Sequence, residues 1–515
     1  MRDAMQCDCL KHPPPHIVLK RAAVQVLLLA VLCGTLSGCY ELSTSNGGAE
    51  TRFTPPRQVD PSDIALPDGY RIEVVATGLT FPTGIAFNEH GGIYVTEAGY
   101  SYGEYFGTPR LLRLEPGGGT TIVAEGSNPP WNGLDYHAGS FFVAGGTVYP
   151  GQILRIDPDG LITVLANGLP SLGDHHTNGP LVSKDGWVYF GQGTATNSGV
   201  VGLDNYDFGW LKRHPGFHDV PCEDVILTGL NYTTSNPFTS LDDRISTGAF
   251  VPFGTPTESG QIIPGGIPCS GAIMRVRAEG GPLEVVAWGL RNPFALAWSP
   301  DGNLYATDNQ YDERGSRPVF GTGDLLWRIE PGAWYGWPDY YGSIPFTGGF
   351  GVPDGATPYE QFRDGPDESP LQLLRDHPSE PPHPAAHLGV HSSSNGFDFS
   401  RNPAFGHEGQ AFIAQFGDQA PEVGKVLAPV GFKVVRVDVD TGVIEDFAVN
   451  KGKTNGPASW LKAGGLERPI AVRFDPSGTA LYIVDFGVMT VNDGQTTPYP
   501  GTGVIWKITR TGGAR

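Results

Sequence analysis

The chain has 515 residues and a formal net charge of −20, with 73 glycines, 46 prolines and 39% hydrophobic residues. The apolar and aromatic content excludes disorder for its bulk, and the glycine and proline content suits a turn-rich all-β protein. The acidic balance excludes nucleic acid and anionic lipid headgroups as electrostatic partners.

In chain order, the first stretch reads as an address. Lys20-Arg21 precedes an apolar run, 22–32, that ends in Leu36-Ser37-Gly38-Cys39. A basic flank, a short apolar core and small residues make an export signal. The final four residues resemble a bacterial lipobox, which implies cleavage before Cys39 and lipid on its thiol. An ordinary signal peptide or a membrane anchor are the alternatives, and the run is short for a span. Residues 1–39 are therefore expected to be a lipoprotein signal, 40–64 a polar flexible tether, and 65–512 the folded domain. The expected location is the bacterial cell envelope, periplasmic or outer surface, with lipid as the anchor. Cys7, Cys9 and Cys33 leave with the signal. Cys222 and Cys269 remain beside Cys39, and an even pair in an exported protein predicts a disulfide. No Cys-x-x-Cys-His occurs, so no c-type haem is attached.

From residue 81 a unit recurs six times, at 81–99, 131–146, 176–193, 291–310, 392–417 and 468–487. Each copy has an apolar-alternating strand, usually a turn containing glycine, and a second strand ending in a small or acidic residue. Third and fourth strands fit between copies, as at 152–157 with 161–166 and 272–277 with 283–288. Four short strands per repeat predict a six-bladed β-propeller. Residues 70–76 read as a fourth strand without predecessors, and 503–509 as a third without a successor. Pairing the N-terminal strand into the last blade closes the ring and removes a free edge. Two stretches interrupt the repeat, at about 202–268 and 332–391. Loops this long are covers or disordered. The second carries Trp334, Tyr335, Trp337, Tyr340 and Tyr341, which either stack on sugars or pack the loop onto the propeller.

Residues just before each innermost strand face one another across the channel mouth. Here they are Pro82-Thr83, Trp131-Asn132, Asp174-His175-His176-Thr177-Asn178, Arg291-Asn292, Ser392 to Asn395, and Arg468. The second strands return Glu97, Gln192, Asp308, Gln415 and Asp485 to the same rim. Such clustering at a concave mouth is the default site. Asn178 and Asn395 read as turn or loop residues.

Trp288-Gly289-Leu290-Arg291-Asn292-Pro293-Phe294, followed by Trp298-Ser299-Pro300-Asp301-Gly302, resembles the glucose/sorbosone dehydrogenase family. Those proteins are six-bladed propellers that use pyrroloquinoline quinone (PQQ). Gly168-Leu169-Pro170 with Asp174-His175 is similar to that family's catalytic loop, and the resemblance runs over roughly residues 65–510. It implies that His175 takes the substrate hydroxyl proton and that Asp174 sits beside it and helps place it. It implies that Arg291 and Asn292 hold the quinone and its developing charge, with Asn132 and His176 in the cofactor wall. Arg468 would pair a cofactor carboxylate. The chemistry asks for these types: a base near neutral pH, fixed donors for a reduced oxygen, and a guanidinium fork for a carboxylate. Neighbours on an extended chain point apart, so one of His175 and His176 is expected to face away. Trp131-Asn132-Gly133-Leu134 departs from the family, which has a Gln before Asn-Gly-Leu. A fifth-blade basic residue is not evident near Gln415–Asp418, where Lys425 and Lys433 are the candidates. The spacing around Asp174-His175 needs one extra residue.

Asp308, Gln310, Asp312 and Glu313, with Asp324 beyond, form an oxygen-rich stretch. The family binds calcium in this loop, and calcium takes six to eight oxygens. A plain acidic surface loop is the alternative. The reading that results is an exported, lipid-anchored enzyme that oxidises a sugar or related alcohol with PQQ and passes electrons to a separate acceptor. Its rivals are a calcium-dependent lactonase built on Glu97, Asp308 and Asp485, and a non-enzymatic binding propeller.

Overall fold

The structure, a computed structural model, describes residues 52–101, 105–319, 321–346, 362–364, 372–419, 428–492 and 495–511. They belong to one compact unit, Ser45–Arg515. Residues 1–39, with the lipobox and Cys39, lie outside the described residues, as does Lys425.

Each repeated unit forms an antiparallel pair, and six sheets of four strands or more result. Their innermost strands are Pro82–Phe87, Trp131–His137, Thr177–Val182, Pro293–Trp298, Ser394–Phe399 and Pro469–Phe474. Each packs on the next, and the last packs on the first. The ring is the expected six-bladed propeller, numbered here by these strands. Glycine near the start of the innermost strands sets how closely they approach the axis. A Cβ on Gly84 would lie 2.6 Å from Gly133 C, and one on Gly133 would lie 2.6 Å from Gly179 Cα. Only a residue without Cβ fits there.

Closure occurs as the unmatched strands suggested. Tyr70–Leu79 pairs antiparallel with Gly503–Arg510 and is the fourth strand of blade 6. Ile64–Ala65 adds a fifth strand to blade 5 by pairing with Ile444–Asn450. The stretch read as a tether is therefore docked from Arg57 onward. The Arg57 guanidinium donates to Thr502 O at 2.7 Å and Gly465 O at 2.8 Å, and it pairs with buried Asp485. Polar composition concealed this, because here polar groups make the attachment.

The insertion at 202–268 is ordered, with short helices Leu203–Asp207 and Trp210–Arg213 and a hairpin of Asn231–Asn236 with Ser240–Thr247. The expected Cys222–Cys269 disulfide is present. The second insertion ends sooner than its sequence suggested, because Ala386–Val390 is the fourth strand of blade 4. Within it Trp334, Tyr335 and Trp337 are buried and pack the loop onto the propeller. No helix among the described residues is long and apolar enough to cross a membrane.

Candidate active site

All six blades contribute to one cavity of about 200 Å³ at the channel mouth. Its lining includes Asn132, Asp174, His175, His176, Arg291 and Asn292, six of the seven residues expected for catalysis and cofactor binding. Arg468 is the exception.

Both imidazoles line the cavity, contrary to the alternation argument. The innermost strand begins only at Thr177, and residues 172–175 are bends, so neighbours need not point apart. His175 is 8% exposed. Its Nδ1 lies 2.9 Å from Thr194 O. A carbonyl only accepts, which assigns the proton to Nδ1 and leaves Nε2 as an acceptor. Burial, then Arg291 and Arg314, hold its pKa well below the ordinary value, so the ring is neutral. His176 meets Tyr100 and Trp210 edge-on, at ring distances of 5.3 Å and 6.1 Å. Its Nδ1 is buried with no hydrogen-bond partner among the described residues, and burial lowers its pKa to about 4.

Asp174 does not place His175; Thr194 does. Asp174 instead accepts from Arg314 Nη1 at 2.6 Å and from Asn205 Nδ2 at 2.9 Å. Arg314, which the sequence reading missed, also binds Asp204 at 2.7 Å and Asp312 at 3.0 Å. A cation directly after Asp312-Glu313 was the available signal. Arg291, 2% exposed, donates to Asp312 at 2.8 Å, Asn197 Oδ1 at 2.8 Å and Asn309 O at 3.1 Å. Burial acts to raise the Asp312 pKa, but Arg291 and Arg314 together hold it well below the carboxylate range. His391, also missed, lines the cavity and pairs with Glu313 at 2.6 Å. Burial opposes its charge, yet Asp312 and Glu313 push its pKa up to about 10.

Arg468 serves the scaffold. Fully buried, it donates to Gly417 O and Asp418 O at 3.2 Å, between the rings of Phe416 and Phe432. The rim position was right, but these carbonyls turn the side chain into the blade 5–6 junction. Lys433 pairs with Asp446 at 2.6 Å and does not line the cavity.

The Asp308–Asp324 stretch does not fit a cation. Asp308 accepts from Asn292 N at 2.7 Å, Gln310 Nε2 at 2.6 Å and Trp327 Nε1 at 3.1 Å. Asp324 accepts from Ser394 N, Ser392 Oγ and Gln310 N. Asp312 and Glu313 are taken by Arg291, Arg314 and His391. Among the described residues no group of three His, Cys, Asp or Glu is placed to hold a metal. Sequence showed the oxygens but not the donors that claim them. Glu97, Asp308 and Asp485 likewise do not converge on the channel. Glu97 accepts from Thr80 N and Asp485 from Arg468 N, so each ties down the loop entering its own blade. None lines the cavity, which removes the basis for a lactonase.

Four asparagines form a relay around the mouth. Asn132 Nδ2 donates to Asn178 Oδ1 at 3.3 Å, Asn178 Nδ2 to Asn292 Oδ1 at 2.8 Å, and Asn292 Nδ2 to Asn309 Oδ1 at 3.1 Å. Asn309 Nδ2 ends the row on Ser394 O at 3.0 Å. Since that carbonyl only accepts, it orients every amide behind it. Each amide keeps a second N–H. Asn178 is thus a strand residue in the relay, not a turn residue. Asn395 is also on the lining, and its Oδ1 is buried with no hydrogen-bond partner among the described residues. Trp131, 1% exposed, packs between blades 1 and 2 and leaves the cavity open.

A neutral imidazole acceptor, two guanidiniums and a row of amide donors around one cavity can take a proton and hold negative charge on an oxygen. No family model matches the chain. A PQQ-dependent sugar dehydrogenase of Hypocrea jecorina (strain QM6a) is 26% identical over 180 residues, 32% of this chain. The chain spans about two fifths of that relative's length, 38%. Two solved structures share the fold. One is the PQQ domain of a pyranose dehydrogenase from Coprinopsis cinerea, in its holo form, with TM-score 0.51 and 15% identity over 89% of this chain and 98% of that one. The other is a Trichoderma reesei enzyme of carbohydrate-active family AA12, with TM-score 0.50 and 17% identity over 89% and 100%. In sequence over part of its length, and in fold over most of it, the chain resembles proteins described as PQQ-dependent sugar dehydrogenases.

Proposed function

We propose that the protein is an exported, lipid-anchored oxidoreductase that oxidises a sugar or related alcohol with PQQ. The observation that carries this reading is His175, whose proton is fixed on Nδ1 by Thr194 O, beside Arg291 on the same cavity wall. The cavity residues fit the quinone. Arg291, Asn292, Asn132 and His176 would hold it, with amide N–H groups for its oxygens and the rings of Tyr100 and Phe486 for its plane. When bound, PQQ supplies a two-electron acceptor for the hydride from the carbinol carbon.

His175 Nε2 accepts the hydroxyl proton. The nearby guanidiniums disfavour an imidazolium in the resting site, so the ring waits neutral. Arg291 and the relay amides hold the charge that develops on oxygen. Asp174, Asp204 and Asp312 already offset Arg291 and Arg314. A tricarboxylate therefore needs more positive charge, and calcium belongs in this reading as its counter-ion, away from the 308–324 carboxylates. Electrons leave to a separate acceptor. The disulfide fits export to an oxidising compartment.

The test is reconstitution with PQQ and calcium, followed by dye reduction across a sugar and polyol panel. Turnover that requires PQQ is expected. A protein that leaves the quinone spectrum unchanged would instead be a binding propeller.

A further inference from the structure

The propeller supplies most of the cavity, but one wall comes from elsewhere. Phe208 and Trp210 line it from the insertion at 202–268. Trp210 is 5% exposed and presents its ring to His176 at 6.1 Å, while the Arg213 guanidinium lies over the indole at 4.5 Å. Its indole N–H makes no hydrogen bond among the described residues. Unlike Trp334 Nε1, it is not sealed from solvent. A buried aromatic with an unused donor on a cavity wall is an amphipathic contact surface.

This wall is latched to the charged residues of the site. Asp204, in helix Leu203–Asp207, binds Arg314 at 2.7 Å. Asn205 of the same helix donates to Asp174 Oδ1 at 2.9 Å. The Arg314 guanidinium lies 5.1 Å from the centre of the Phe208 ring. One cation and one carboxylate of the cavity thus fix the helix that leads into the aromatic wall, with Phe208 directly after it and Trp210 opening the next helix. The insertion is held at the site, not merely beside it.

We propose that Trp210 is the specificity-determining residue of this cavity, a platform for the C–H face of a pyranose ring with its indole N–H directed to a ring hydroxyl. The inference rests on the proposed sugar oxidation and names its substrate class. A cyclic sugar presents a flat apolar face with polar groups at its edge, which matches an indole with a free N–H. An acyclic polyol presents no such face. Selection therefore lies in the insertion, while proton transfer lies in the blades.

The test compares wild type, Trp210→Phe and Trp210→Ala, each loaded with PQQ and calcium, on aldopyranoses (D-glucose, D-xylose, cellobiose) and on acyclic polyols (glycerol, D-sorbitol). At quinone concentrations shown by absorbance to saturate each variant, since Trp210 packs on His176, Trp210→Ala is expected to raise KM for the pyranoses about tenfold and to change KM for the polyols several-fold less. Trp210→Phe keeps a ring without the N–H and should recover part of the loss. Equal losses on both classes, or no change in KM in an active enzyme, would overturn the proposal. If Trp210→Ala does not fold, Trp210→Phe alone decides by its pyranose-to-polyol ratio. A second readout is independent of turnover: saturation-transfer NMR of the three pyranoses on the cofactor-free protein. Transfer to ring C–H protons in wild type, lost in Trp210→Ala, supports the platform even if no sugar is oxidised. That second outcome sinks the proposed function and leaves this inference standing. No transfer in wild type sinks the inference itself.

Discussion

Asn178 of blade 3 donates its side-chain amide to Asn292 Oδ1 of blade 4 at 2.8 Å. The bond is one link of a row that runs from Asn132 to Ser394 O, and all its members point the same way around the mouth. Replacing Asn178 by Leu should leave Asn292 Oδ1 and Asn132 Nδ2 without partners. Each loss costs about 1–3 kcal/mol for a buried group, to be read by urea denaturation. Asn178→Asp places a carboxylate against Asn292 Oδ1, which raises its folded pKa above the unfolded value. Its penalty should therefore appear as pH rises above the unfolded value, and be complete above the folded one. A flat pH dependence for that variant would show that the amide link is not made.

The catalytic prediction separates two neighbours. His175→Ala should lower dehydrogenase turnover by roughly 10²–10⁴-fold while quinone binding, followed by absorbance, stays intact. His176→Ala should weaken quinone binding with less effect on turnover at saturating cofactor. Reversed results would exchange the two roles.

Arg468→Ala should destabilise the protein by a few kcal/mol, because it strips donors from buried carbonyls at the blade 5–6 junction. Quinone affinity should hardly move. A large affinity loss with unchanged melting would return Arg468 to the site.

His391 predicts a pH window. Its folded pKa of about 10 lies above the ordinary histidine value of 6.5. The stability it contributes is therefore fully present below about pH 6.5 and is lost as pH rises toward 10. His391→Gln should remove that slope and cost about 3 kcal/mol at neutral pH, by leaving Glu313 and Asp312 buried without it. Parallel stability curves for the two proteins between pH 6 and 10 would contradict the ion pair.

Export is tested at Cys39. Replacement by Ser should release the protein from membranes or block its maturation. Unchanged processing and fractionation would remove the lipoprotein reading.

The ring was legible in the sequence because strand alternation and glycine turns are local and repeat six times. Gly84, Gly133 and Gly179 even mark the axis. The positions of Asn132, His175 and Arg291 followed from that geometry. Their partners did not. Arg314 gathers Asp174 and Asp204 from two distant segments onto its near neighbour Asp312, and His391 takes Glu313 from a distant loop. In the expected calcium loop Asp312 and Glu313 are spent on cations, and Asp308 and Asp324 on neutral N–H and O–H donors. Arg468 occupied the expected rim position, yet nearby carbonyls decided which way it turned. Orientation depends on neighbours that a single strand pattern does not contain.

Tyr70 pairs with Arg510, so the first long strand of the fold has no ladder until residues 503–510 are made. During synthesis, and through any passage across a membrane, the growing molecule carries a β edge with nothing to bond it. Five blades can assemble while the sixth holds only Tyr70–Leu79, and that strand gains its neighbour when residues 503–510 follow Pro469–Phe474 and Ala480–Asp485. Removing residues 503–510 takes out the strand that joins Tyr70–Leu79 to the rest of blade 6. It reopens the ring between its first and last blades and exposes a template for pairing between molecules.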